Sequence, residues 1–282
     1  MTVSLGAVFL PQWAPERLRP VVTAADEAGL DELWLWEDCF FESGIATASA
    51  ALAWSQRVRV GVGLLPAPLR NVAITAMEVA TLQRLFPDRI RIGVGHGVQD
   101  WMGQVGARVE SPMTLLTEYL TALKALLRGE KVTTHGRYVH LDDVALVWPP
   151  GADALEILVG AVGPKTLRLS GAYADGTILT GGTTAEQVRT AREHIGTPGP
   201  VVVYLHAATG PDAEARMEAE RVRWGYDALE GRAVVGDAAQ IAAGVRRWAA
   251  AGATTVVLQP TPDDPDPEGF VRFVAQDVRH LL

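Results

Sequence analysis

Four short stretches in the first hundred residues are apolar or alternate apolar with polar positions: VSLGAVFL near the start, DELWLW at 31–36, RVRVGVGLL at 57–65 and RIRIGVG at 89–95. A period of two, or a short apolar run ended by glycine or proline, predicts a β-strand. Between these stretches, apolar residues recur every three or four positions in PERLRPVVTAADEAG, IATASAALAWSQ and NVAITAMEVATLQRLF. That spacing predicts helices with one buried face. Gly29 follows the first helix as a left-handed stop, and Pro87 follows the third, where a residue without an N–H does not extend the ladder.

The alternation continues with a fourth helix, SPMTLLTEYLTALKALLRG, where Ser111 is placed to cap and Pro112 takes the first helical position. KVTTHGRYVHLDDVALVWPP follows, and its Thr, Val and Tyr content around His135 and Gly136 predicts a hairpin outside the main sheet. Beyond Pro150, strands are expected in ALEILVGA, GTILTGG, PVVVYLHAAT and TTVVLQP. Helices are expected in PKTLRLSGAYA, TAEQVRTAREHI, DAEARMEAERVRW, DAAQIAAGVRRWAAAG and PEGFVRFVAQDVRHLL. Eight strands with helices between nearly all of them predict an α/β chain folded as a single (β/α)8 TIM barrel, with a small hairpin insertion after the fourth helix. No repeat or linker divides it, so one domain over residues 1–282 is expected.

Composition narrows the function. The chain has 282 residues, is 48% hydrophobic and carries a net charge of −8. It is large enough for one core, and with no basic stripe it argues against a nucleic-acid partner. No window approaches a membrane span, and the start lacks the basic region of a secretory signal, so a soluble, cytoplasmic protein is expected. The lone cysteine, Cys39, excludes an internal disulfide and a Cys-rich metal site, and no metal is expected.

In a barrel the chemistry sits where strands end. The residues there are EDCFFESG, GLLPAP, GHGVQDW, GAVGPK and TGGTT, after the second to sixth strands. Glycine lets main chain approach a ligand closely and leaves N–H groups available to a phosphate or a flat ring. GVGHGV places Gly93, Gly95 and Gly97 in sequence but has Val98 next, so the dinucleotide fingerprint G-x-G-x-x-G fails at its last position, and no helix is predicted directly after it.

GVGLLPAPLRNVAITAMEVATLQRLFPDRIRIGVGHG, with ILVGAVGPKTLRLSGAYADGTILTGG further on, resembles the luciferase-like monooxygenase superfamily, most closely its branch that uses the deazaflavin coenzyme F420. The resemblance implies an oxidoreductase, a small-molecule substrate and a homodimer, with FMN as the alternative cofactor in the same place. It implies a bulge with a non-prolyl cis peptide at Gly63 and Leu64, pressed against the back of the tricyclic ring. It places His96 and Gly97 beside the ring and the start of its side chain. The runs Gly160, Ala161, Val162, Gly163 and Thr180, Gly181, Gly182 take the place of the phosphate-side loops. Backbone amides at the start of the helix after Gly163 also suit an anion on physical grounds.

Two departures bear on the substrate. Deazaflavin-dependent sugar dehydrogenases of this kind have Asp-His after the second strand, with the His catalytic, whereas this chain has Asp38 and Cys39. Their acidic residue after the fourth-strand glycine is replaced by Val98. Sugar-phosphate oxidation is therefore not expected, and His96, Cys39 and Asp38 remain the candidate catalytic residues. Trp13, Trp36, Trp101, Phe40 and Phe41 are candidates for an apolar pocket wall. The chemistry expected is hydride transfer between reduced deazaflavin, or flavin, and a small organic substrate, or oxygen activation with FMN. Two rivals stand beside it: a non-catalytic flavin-binding or storage protein, and a phosphate-binding barrel lyase or isomerase without a redox cofactor, built on the adjacent pair Glu37 and Asp38.

Overall fold

The computed structural model describes residues 3–151 and 155–282. Ala154, where the fifth of the eight sequence-predicted strands was expected to begin, lies outside the described residues. The barrel is formed by β1 (Ser4–Val8), β2 (Glu32–Leu35), β3 (Arg59–Pro66) and β4 (Ile90–Gly95), which precede an antiparallel hairpin, β5 (Val132–His135) and β6 (His140–Val144). It is completed by β7 (Ile157–Gly160), β8 (Gly176–Leu179), β9 (Val201–Ala208) and, after a short β10 (Ala233–Val235), by β11 (Thr255–Gln259). All neighbouring barrel strands are parallel, β4 pairs directly with β7, and β9 pairs with both β8 and β11 to close the ring. The hairpin stands outside the ring, as expected.

Helices α1 (Leu18–Ala28), α2 (Gly44–Ala53) and α3 (Val72–Leu85) follow the first three strands. Gly29 ends α1 in the left-handed conformation at φ 79°, and Asn71 caps α3 by accepting from Ala73 N. A short α4 (Gln99–Gln104) begins two residues after Gly97, where no helix was expected, so the hairpin follows the fifth helix, α5 (Pro112–Leu127). Only Met102 of α4 is buried, which leaves little apolar periodicity to read. Ser111 caps α5 and Pro112 opens it. The remaining helices are α6 (Pro164–Tyr173), α7 (Ala185–Ile195), α8 (Ala213–Trp224), α9 (Ala238–Ala250) and α10 (Pro267–Phe273). Strand β10, also unforeseen, is three half-buried residues added beside the end of β9, with Ala233 opposite His206. Among the described residues, no helix is long and apolar enough to cross a membrane.

The barrel interior is divided into two zones. Ser4, Glu32, Arg59 and Thr255 are the first residues of β1, β2, β3 and β11, and with Arg91 they form a polar cluster at the N-terminal end. Glu32, 1% exposed, accepts from Trp34 Nε1 at 2.8 Å, Arg59 Nη2 at 2.8 Å, Ser4 Oγ at 3.1 Å and Arg91 Nη1 at 3.1 Å. A carboxylate that deep is tolerable only with such a set of donors. Above it lies the indole of Trp34, for which Gly61 and Gly6 make room, while Gly63 makes room for the Tyr204 hydroxyl and for the edge of the same indole. Beyond Trp34 lies the C-terminal mouth.

Candidate active site

At the mouth, loops from five strands surround a cavity of about 400 Å³, within the size range of small-molecule sites. The second strand contributes Trp36, Glu37 and Asp38, and the fourth contributes His96, Gly97, Val98 and Trp101. Gly63, Leu64 and Pro66 enter from the end of β3, Gly160 from β7, and Thr180 and Gly181 from the loop after β8. Tyr204 of β9 and Trp224, the last residue of α8, complete the lining.

The end of β3 is irregular. Val62 pairs with Ile92 and Leu65 with Val94, so two residues, Gly63 and Leu64, stand opposite Gly93 alone, and the Gly63–Leu64 peptide is cis. A second non-prolyl cis peptide joins Cys39 to Phe40 in the loop after β2. The bulge turns the Leu64 side chain across the strand ends. A Cβ on Gly95 would stand 2.7 Å from Leu64 Cδ2, one on Gly93 would stand 3.3 Å from Leu64 Cβ, and one on Gly160 would collide with Cδ2. Gly95 and Gly160 are thus explained by the leucine they admit, while Gly93 makes room chiefly for the Ile178 side chain.

The other candidate glycines, Gly163 apart, are packed on the side where a Cβ would stand. The side of Gly181 where a Cβ would stand is filled by Gln259 Oε1 at 2.9 Å and His206 Nε2 at 3.0 Å, and that of Gly182 by the Tyr226 ring. Gly97 has φ 67° and faces Met102 and Pro66 at 3.0 Å, so it is required by the turn itself. Only the Gly163 turn, at the start of α6, opens on free space among the candidate glycines; it is exposed, as is Val162, while Ala161 is buried. Gly160, Thr180 and Gly181 line the cavity, whereas Ala161, Val162, Gly163, Gly182 and Cys39 are not among its lining residues.

Packing of this kind is testable. Gly160→Ala is expected to cost about 1–3 kcal/mol through overpacking against Leu64, and much less in a Leu64→Ala background. Urea unfolding of the four proteins measures the coupling; equal costs in both backgrounds would refute the assignment.

The ionisable groups at the mouth differ sharply in freedom. Glu37 accepts from Gly44 N at 2.7 Å and from Arg70 Nη2 at 2.7 Å and Nε at 3.1 Å, tying the loop after β2 to α2 and to the end of β3. It is engaged as a structural carboxylate, which removes half of the pair that a lyase would need. Asp38 makes no such contacts: burial pushes its carboxyl above the usual range, and the Arg223 guanidinium opposes that rise only in part. Nearby Glu42 is pushed up to about 7, mainly by burial and further by the charge of Asp38. Burial and the carboxylates of Glu37 and Asp38 raise the Cys39 thiol, keeping it protonated and weakly nucleophilic.

His96 is held below its ordinary range by burial, offset in part by the Pro112 carbonyl, so it is a neutral imidazole at neutral pH. Its Nδ1 is buried without a hydrogen-bond partner in the protein. Behind the loop after β8, His206 is 1% exposed and burial lowers it to about 4, with the Arg223 charge adding to the effect. It meets Tyr226 Oη at 3.2 Å, and that hydroxyl donates to Gly181 O at 3.1 Å while Arg232 Nη1 donates to Gly182 O at 2.6 Å. These bonds fix the Thr180–Gly182 turn from behind.

Of the aromatic candidates, Trp36 and Trp101 line the cavity; Trp13 is buried instead, donating to Pro262 O at 2.9 Å, and Phe40 and Phe41 are exposed. Tyr204 and Trp224 were not anticipated. Tyr204 packs edge-on against Trp36 at 5.4 Å, and Trp224 is held by its indole N–H on Glu220 at 3.0 Å and by stacking on Tyr226 at 6.1 Å. The signal for Tyr204 was a hydroxyl-bearing residue inside the otherwise apolar run VVVYL.

A family model described as luciferase-like monooxygenase matches residues 6–224. The chain is 27% identical over 177 residues to a 5,10-methylenetetrahydromethanopterin reductase of Methanolobus tindarius, a match covering 63% of this chain and 54% of that protein. It is 32% identical over 186 residues to an F420-dependent glucose-6-phosphate dehydrogenase of Nakamurella multipartita, covering 61% of this chain and again 54% of the relative. The matched stretch thus spans about half the length of these curated relatives. Among solved structures, the coenzyme F420-dependent tetrahydromethanopterin reductase from Methanopyrus kandleri superposes with a TM-score of 0.84 over 100% of both chains at 20% identity, a likeness of fold.

Proposed function

The chain belongs to the luciferase-like monooxygenase family, and from that premise we propose that it is an oxidoreductase using the deazaflavin coenzyme F420 to move a hydride between the cofactor and a small organic substrate. The observation that carries this reading is the cavity itself, where the Gly63–Leu64 bulge, the His96 turn and aromatic walls meet at one barrel mouth. The residues fit a flat tricyclic group. Leu64, Trp36 and Trp101 offer broad apolar faces, and His96 Nδ1 is a buried polar atom left without a partner. The exposed turn at Gly163 supplies main-chain amides at the start of a ten-residue helix for an anionic tail.

When bound, the reduced cofactor supplies two electrons and a proton nucleus as hydride. The protein's own part is to orient the acceptor, exclude water and handle the second proton. In reduction of a carbonyl, the C=O π bond is replaced by a new C–H and a new O–H bond, and the proton on oxygen comes from the Asp38 carboxyl. In oxidation of an alcohol, Asp38 as carboxylate receives it. His96, neutral, orients by hydrogen bonding, and Cys39 remains a bystander thiol. The relatives named for glucose-6-phosphate do not extend to this substrate: Cys39 and Val98 stand where residues of such enzymes differ, and no Lys or Arg lines the cavity.

Titration of the purified protein with coenzyme F420 and with FMN, followed by absorbance and fluorescence, tests the reading. Deazaflavin binding at micromolar concentration or tighter is expected. Binding of FMN alone would transfer the site to oxygen chemistry, and binding of neither would overturn the redox reading.

A further inference from the structure

Charge at the mouth is arranged against anions. The cavity lining contains two carboxylates, Glu37 and Asp38, and no cation. Arg70 is consumed by Glu37 and by Glu78 at 2.8 Å, and Arg223 is paired with Glu220 at 3.2 Å. A phosphate or carboxylate entering between Trp36, Trp101 and Trp224 would lose its hydration with no guanidinium or ammonium in the lining to replace it, and Arg223, whose charge reaches Asp38, is held on Glu220.

The rim is apolar where a soluble surface is ordinarily polar. Phe40 is 64% exposed, Phe41 55%, Val98 48% and Val162 75%. They stand on three different loops, after β2, β4 and β7, each within two residues of a residue that lines the cavity, except Phe41, which is next to Phe40. Val98 is both exposed and part of the lining. Apolar residues gathered around the mouth of a cavity mark a binding surface rather than chance exposure.

We propose that the substrate is an uncharged organic molecule with an extended apolar portion, its reacting end beside Asp38 and its apolar remainder lying over Phe40, Phe41 and Val98. The assignment of a reacting end rests on the redox reading above; the binding surface does not. The cofactor-free protein is therefore titrated with 2-butanone, 2-decanone and glucose 6-phosphate, read by the fluorescence of the cavity tryptophans. At roughly threefold in affinity per buried methylene, 2-decanone is expected to bind at least about a hundredfold more tightly than 2-butanone. Glucose 6-phosphate is expected not to bind.

Phe40→Ser/Phe41→Ser, which alters exposed side chains only, is expected to weaken 2-decanone at least about tenfold and to leave 2-butanone and the thermal transition unchanged. Affinity independent of chain length, an unaltered double variant, or glucose 6-phosphate binding as tightly as 2-decanone would overturn the proposal. So would sedimentation showing a dimer that the double variant dissolves, because the rim would then belong to a second copy. Ketone binding in a protein that takes up neither deazaflavin nor FMN would sink the redox reading and leave this one standing; cofactor binding without chain-length dependence would do the reverse.

Discussion

Glu32→Ala is expected to lower unfolding free energy by about 3–5 kcal/mol, the cost of removing one partner from a buried ionic cluster. For a chain of this size that corresponds to a fall in Tm of roughly 10 °C. The loss does not come from the carboxylate's own attraction so much as from what it leaves behind. Arg91, with 9% of its side chain exposed, would keep only Thr255 Oγ1 at 3.2 Å and the half-exposed Glu156 at 3.3 Å, and the indole N–H of Trp34 would have no acceptor in the middle of the barrel. Glu32→Gln, which keeps an acceptor for Trp34, is expected to cost about half as much. Urea unfolding measures both; a Glu32→Ala protein within 1 kcal/mol of the parent would show that the cluster contributes nothing net.

Glu32 also marks where sequence reading reaches its limit. DELWLW is legible as a strand because of its apolar residues, yet nothing in the stretch says that Glu32 points inward and Asp31 does not. That choice is made by Arg59 and Arg91, contributed by strands 27 and 59 residues away. The strands themselves were readable because each is a short apolar run between breakers, and all eight close into the ring. Helix α4 and strand β10 were not, being short and half exposed, and stabilised by position rather than by their own periodicity.

The glycines give the sharper lesson. GVGHG looks like a ligand loop from its sequence, and the residues that explain Gly95 and Gly93 lie on other strands, at Leu64 and at Ile178. A side chain turned across the strand ends by a bulge needs small neighbours, Gly95 and Gly160, which sit 65 residues apart in the chain. Glycine at strand ends therefore reports packing as much as an open ligand loop. The bulge itself was expected from resemblance alone, because no local pattern distinguishes GVGLLP as irregular. Tyr204 and Trp224 escaped notice because one lies in an apolar run and the other at a helix end, both places where aromatic residues are ordinarily core.

Asp38→Asn is expected to lower kcat by about 10²–10⁴-fold, the range for loss of a positioned proton donor, with reduced coenzyme F420 and 2-decanone as reactants. Asparagine preserves the shape of the carboxyl and cannot transfer its proton, so cofactor binding in the titration is expected to hold within about threefold. The pH profile separates a chemical role from a structural one. Burial raises the Asp38 carboxyl and Arg223 resists, so the protonated acid survives to higher pH than an ordinary aspartic acid. Carbonyl reduction requires that form, and its rate should fall as pH rises through the raised pKa; alcohol oxidation requires the carboxylate and should rise over the same limb. Glu42 is pushed up to about 7 by burial and by the charge of Asp38, whereas the rise of Asp38 comes from burial, so Glu42→Gln should leave the limb where it is. In Asp38→Asn the limb should vanish, whereas in His96→Gln it should remain, since burial holds the imidazole below its ordinary range and Asp38 carries the proton. An Asp38→Asn enzyme that keeps kcat within tenfold and an intact limb would move the proton to another group at the mouth.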